Sequence, residues 1–182
     1  ERAVAAIRSQ AGDLRQLGAL LDLGLRANSR VPRGPYTGWT LLMVAALFGR
    51  YNIAALLFAR GANVHLRGAR PQRLTALHLA AEAGHYLLVR FLADSGADVD
   101  APVMIDGRSP AFLAATNGHA DVLLLLANHG ADLEAPARRG ATPLWAAAVH
   151  NKGNVVRQLI ELGVNLDVHT GPWGDTPLHA AV

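Results

Sequence analysis

The side chains that could do chemistry are few in kind. Eight histidines invite a metal reading, and His78, Glu82 and His85 have spacing that could share one helical face. Two of these three flank loops, however, and the chain holds no His-Glu-x-x-His pair of the kind that binds zinc on a helix. Cysteine is absent, which removes disulfides, thiolate nucleophiles and cysteine-based zinc sites. Lys152 is the only lysine. No glycine-rich phosphate loop, nucleophile elbow or lysine-centred constellation occurs. The sequence therefore predicts no catalytic residue, no metal and no cofactor. What remains is arginine and a few aromatics, residue types enriched where proteins bind one another.

These residues must be positioned by the rest of the chain, whose 182 residues suffice for one domain or one short array. Half are hydrophobic, so a sizeable core can form. Alanine and leucine dominate and favour helices. The formal net charge is +3, a mild excess that does not by itself imply nucleic acid. The longest apolar run, Leu41 to Phe48, is far too short to cross a bilayer. The first residues are too short for a signal-peptide core, and an intracellular setting, cytoplasmic or nuclear, is expected. With no initiator Met and a last unit that stops at Val182, the sequence is expected to be a piece of something longer.

Three markers recur in phase. Thr40-Leu41-Leu42-Met43, Thr75-Ala76-Leu77-His78, Ser109-Pro110-Ala111-Phe112, Thr142-Pro143-Leu144-Trp145 and Thr176-Pro177-Leu178-His179 step by 35, 34, 33 and 34 residues. Gly61-Ala62-Asn63-Val64, Gly96-Ala97-Asp98-Val99, Gly130-Ala131-Asp132-Leu133 and Gly163-Val164-Asn165-Leu166 step by 35, 34 and 33. Between them stand Gly49-Arg50, Gly84-His85, Gly118-His119 and Asn151-Lys152. Periods of this length mark stacked repeats.

Each marker has a physical task. The Thr or Ser is an N-cap, and Pro110, Pro143 and Pro177 follow at the first helical position, where a missing N–H costs nothing. Gly49, Gly84 and Gly118 end a short first helix in the left-handed region, and Asn151 is the best substitute there. Second helices are predicted over about 51–59, 86–94, 120–129 and 154–162, with glycine closing each. One such unit cannot bury its apolar face alone, so copies must stack.

This pattern resembles the ankyrin repeat family, and residues 74 to 100, LTALHLAAEAGHYLLVRFLADSGADVD, are the closest copy. The resemblance covers essentially the whole chain. It implies an all-α ankyrin repeat solenoid of helix–turn–helix pairs joined by hairpin-like loops. The repeats would run over about 1–35, 36–70, 71–104, 105–137, 138–171 and a partial 172–182. The first lacks the Thr-Pro-Leu-His start but keeps Gly12 and Gly24 twelve apart, as are Gly84 and Gly96. His78 and His85 fall at family positions with structural hydrogen bonds.

The resemblance also implies a function: holding a partner protein or peptide on the hairpin tips and the exposed side of the first helices, a continuous concave surface. Carried onto this chain, the candidate contact residues are Tyr36, Trp39, Phe48, Arg70, Arg73, Glu82, Arg108, Asn117, Arg138, Arg139, His150 and Trp173. Arg73 stands where the tip should have a glycine. Tip arginines suit carboxylate or phosphate pairing, so an acidic partner is expected. Trp39 has a second reading, as a cover for its turn. The loops from Gly24 to Thr40 and from Gly61 to Thr75 are the longest, which points to the N-terminal half as the hot region. Two further functions remain open: a substrate-recruiting or regulatory arm of a larger enzyme, and binding of nucleic acid or acidic lipid through the tip arginines.

Overall fold

The computed structural model describes residues 1–9, 14–69 and 72–167. Arg70, Trp173 and the partial repeat expected over 172–182 lie outside those residues. The chain forms two units, Glu1–Ala97 and Asp98–Val182. Ten α-helices and no strand occur among the described residues. No described helix is long and apolar enough to cross a membrane.

Unit 1 is built from three helix pairs. They are α1 (Arg2–Arg8) with α2 (Leu14–Asp22), α3 (Leu41–Leu47) with α4 (Tyr51–Ala59), and α5 (Ala76–Glu82) with α6 (Tyr86–Asp94). α3 packs on both α1 and α5, and α4 on both α2 and α6, giving a layer of first helices and a layer of second helices. Ala45, Ala46, Ala80 and Ala81 are fully buried, so small side chains let the first helices approach closely. Between the layers lie Leu42, Ile53, Leu57 and Leu77, each worth about 1.5–3 kcal/mol when fully buried.

The two capped helices of this unit begin alike. The Thr40 hydroxyl accepts the Met43 N–H (3.3 Å), and the Met43 thioether accepts the Thr40 N–H (3.4 Å). At Thr75 the partner is His78, whose Nδ1 accepts the Thr75 N–H (3.1 Å) and lies 2.7 Å from the Thr75 hydroxyl. Because Nδ1 accepts, the ring proton belongs on Nε2. Repeat is fastened to repeat by His85, whose Nε2–H donates to the Leu47 carbonyl (3.1 Å). The imidazole fits only because Gly49 has no side chain: a Cβ there would lie 2.7 Å from the ring.

Unit 2 contains α7 (Pro110–Asn117), α8 (Ala120–Asn128), α9 (Pro143–Val149) and α10 (Gly153–Glu161). α7 packs on α9 and α8 on α10, around Leu123, Leu144, Val155 and Leu159. Ser109 and Thr142 cap through their hydroxyls, and Pro follows each. α8 ends one residue before the predicted His129, which serves as its C-cap. α10 starts and ends one residue earlier than predicted, with Leu162 as its C-cap. Asn151 adopts φ 53°, the left-handed turn that glycine supplies in the other repeats.

Side chains also bridge the loops after the second helices. In unit 1 the Asn28 side-chain oxygen accepts the Asn63 N–H (2.8 Å). In unit 2 Asp100 accepts the Asp132 N–H (2.8 Å) and Glu134 accepts the Asn165 N–H (2.7 Å). In these three bonds the acceptor belongs to the earlier repeat, and the Asn28 amide also donates back to the Gly61 carbonyl (3.0 Å).

Candidate interaction surface

The tips are short backbone loops closed by their own hydrogen bonds. Before α3, Val31 N–H donates to the Trp39 carbonyl (2.8 Å) and Gly38 N–H to the Val31 carbonyl (2.7 Å). Gly38 has φ 79°, and a Cβ on it would run into the Cβ of Ala69 on the next tip. Before α5, Gly68 N–H donates to the Leu74 carbonyl (2.8 Å). Arg73 takes φ 53°, the same hand as the glycines at the other tips. The tip is thus kept without glycine, at a cost of about 1–2 kcal/mol in backbone strain.

Unit 1 gathers three of the candidate residues. Tyr36 lies 5.7 Å from Trp39 and 5.8 Å from Phe48 between ring centroids, edge-on to the latter. Such pairs add about 0.5–1.5 kcal/mol each beyond burial. The Trp39 indole also lies against Gly68, where an added Cβ would be 3.3 Å from its Cδ1. All three rings are half-buried, so each combines packing with some exposed surface. Arg73 and Glu82 are exposed, at the tip and at the end of α5.

The guanidinium groups nearby are held by main chain. Arg30 Nη1 donates to the carbonyls of Gly38 and Arg67, and Arg67 Nη1 to that of Arg73 (3.4 Å). Carbonyls fix a guanidinium in place without adding a formal negative charge beside it.

In unit 2 the arginines differ. Arg108 is paired within its own tip, Nε to the Asp106 carboxylate at 2.7 Å, with both side chains only partly exposed. Arg138 and Arg139 are exposed in a one-turn 3-10 segment, with Arg139 at φ 62°. The Arg138 N–H donates to the Asp106 carbonyl (2.6 Å), tying consecutive tips together. At the ends of the first helices, Asn117 donates to the Leu113 carbonyl (2.9 Å), and the His150 Nδ1 to that of Ala146 (2.9 Å). Both side chains are exposed while one of their polar atoms is used internally.

Sequence reasoning passed over Met104 and Trp145 here. Met104 is 58% exposed beside the 52% exposed Ile105, an apolar tip. Trp145 is half-buried against Phe112, Ala141 and Ala146. Its place as third residue of a first helix was legible, but not how far it stays uncovered. Among the described residues no cluster of three or more His, Asp or Glu is placed to hold a metal.

Stacked helix pairs joined by closed tips define a helical repeat scaffold. The comparisons with known proteins agree. A profile for ankyrin repeats in three copies matches residues 62–137, and one for the single ankyrin repeat matches 37–69 and 139–171. The chain belongs to the ankyrin repeat family. It is similar to Ankyrin repeat and KH domain-containing protein mask-1 of Caenorhabditis elegans, 36% identical over 81 residues, 44% of this chain and 3% of that protein. It is also similar to Ankyrin repeat and SOCS box protein 11 of Mus musculus, 49% identical over 41 residues, 22% of this chain and 12% of that protein. Ankyrin repeat and KH domain-containing protein 1 of Homo sapiens is 35% identical over 81 residues, 44% of this chain and 3% of that protein. The matched part thus spans a small fraction of each relative's length.

Proposed function

We propose that the chain is a protein-interaction module that holds a partner protein or peptide on its tips and on the exposed ends of its first helices. Ankyrin repeats are in general protein-interaction modules. The observation that carries the reading is the union of exposed arginines with half-buried aromatic rings on tips whose backbone is already closed. Arg, Trp and Tyr dominate binding hot spots, and a closed tip loses little freedom when it binds.

The test is capture from a cell lysate on the immobilised chain. A second column carries a variant with Tyr36, Arg73, Arg108 and Arg139 changed to Ala and equal helical content. Proteins retained by the parent and lost by the variant support the tip assignment. Identical retention on both columns overturns it. A second reading makes these repeats the recruiting or regulatory arm of a larger protein. It is favoured by the relatives, whose names join ankyrin repeats to a KH domain or a SOCS box.

A further inference from the structure

The small net charge conceals an uneven partition. Residues 1–97 carry twelve arginines against Glu1, Asp13, Asp22, Glu82 and Asp94, a formal +7. Residues 98–182 carry four arginines and Lys152 against nine acids, a formal −4. The partition is sharpest in the loops between second and first helices. Residues 23–40 and 60–75 of unit 1 contain seven arginines and no Asp or Glu. The matching loops of unit 2, residues 95–109 and 129–142, contain Arg108, Arg138 and Arg139 against Asp98, Asp100, Asp106, Asp132 and Glu134.

The structure shows what holds the unit 1 charges. Asp22 and Asp94 are engaged on the second helices, by Arg60 (2.7 Å) and Arg90 (3.6 Å). At the tips, Arg30 and Arg67 are oriented by carbonyls, and Arg33 and Arg73 are exposed with no acid among the described residues within ion-pair distance. Arg73 keeps its side chain at a left-handed position where glycine would be unstrained. Strain held in that way gathers where a side chain is used.

We infer that the tip face of unit 1, centred on Arg33, Arg73 and the Tyr36–Trp39–Phe48 cluster, is a receptor for an acidic, extended peptide segment of a partner protein. The inference rests on the interaction reading above. Guanidinium groups pair carboxylates through two parallel N–H donors, and carbonyl-anchored ones lose less entropy on doing so. The partly exposed rings offer apolar surface to the apolar side chains that alternate with the acids on an extended strand. Single-stranded nucleic acid is the weaker fit. Base stacking needs open aromatic faces, and these rings are packed on one another and on Gly68.

The test is fluorescence anisotropy on the full chain, with a labelled peptide of alternating Glu and Leu and, separately, an oligothymidylate of equal length. The peptide should bind, and more weakly as salt is raised. The R33E/R73E double variant should lose at least about tenfold in affinity, and R138E/R139E less than about threefold. R33K/R73K keeps the charge but loses the two-donor fork, so its affinity should fall between those of the parent and R33E/R73E, with unchanged circular dichroism. Arg73→Gly relieves strain rather than adding it, and should still weaken the peptide, which guards against loss by misfolding. No peptide binding, equal losses from both pairs, or tighter binding of the oligothymidylate would each overturn the inference. If the peptide fails while the lysate capture still depends on the tips, only the acidic assignment falls and the interaction reading stands.

Discussion

In unit 1 the third residue of each capped first helix reaches back to its own cap: the Met43 thioether to the Thr40 N–H, and the His78 imidazole to the Thr75 N–H. In unit 2 the same places hold Phe112 and Trp145, which have no acceptor to offer, and Pro110 and Pro143 stand at the first helical position. One unit starts its helices by reciprocal hydrogen bonding. The other starts them by fixing φ in advance, which frees the third residue to pack with Ala141 and Ala146. The fastening between repeats differs as well. His85 in unit 1 is a rigid ring wedged over Gly49. In unit 2, Gly118 is instead covered by the flexible stem of Lys152, and its carbonyl accepts from the Asn154 amide (2.8 Å). Equivalent positions of one repeat can thus be filled by quite different physics.

The comparison breaks most visibly at the glycines. Gly49→Ala places a methyl 2.7 Å from the His85 ring at a left-handed φ, and should cost about 3 kcal/mol in urea unfolding. Gly118→Ala meets only the Lys152 stem at 3.1 Å, which can swing away, and should cost about 1 kcal/mol. Equal costs would mean that the His85 wedge is not a rigid fastening. Next come the caps. Thr75→Ala removes a hydroxyl bonded to both the His78 N–H and Nδ1, and should cost about 2 kcal/mol; Thr142→Ala removes one bond and should cost about 1 kcal/mol.

Smaller and opposite in sign is Arg73→Gly, which should raise stability by about 1 kcal/mol in the same titration, because the φ of 53° is strained only for a residue with a Cβ. A decrease would show that the Arg73 side chain contributes to the fold rather than to binding. The least effect belongs to the exposed i,i+4 pair of Arg90 and Asp94. Arg90→Ala should change stability by less than about 0.5 kcal/mol.

Much of the fold could be read because repetition averages out local ambiguity. Thr, Pro and Gly recur at fixed offsets, and even Asn151 announced its left-handed turn. What escaped was whatever depends on a side chain's partner. Met43 reads as a core residue, and nothing in its type reveals a cap. Arg108 reads as a tip arginine with Asp106 close in sequence, and only the structure shows the two paired. Arg30 was passed over, and only its carbonyl partners show it as a fixed charge. The charge division between units was legible by counting, but a total of +3 hid it. Trp39 reads from sequence as a contact residue or as a cover for its own turn, and its ring in fact packs beside Tyr36 and on Gly68 of the following tip.

The side-chain bonds that hold loop N–H groups have a direction. Asn28, Asp100 and Glu134 supply the acceptors, and the amides of Asn63, Asp132 and Asn165 arrive about one repeat later. A ribosome makes the chain in that order, so each acceptor is already waiting when its amide emerges. Growth at the C-terminal end can therefore lock in one repeat at a time. Removing a leading repeat would strip protection from the next loop's amide in hydrogen exchange, whereas removing a trailing one leaves the loops before it intact.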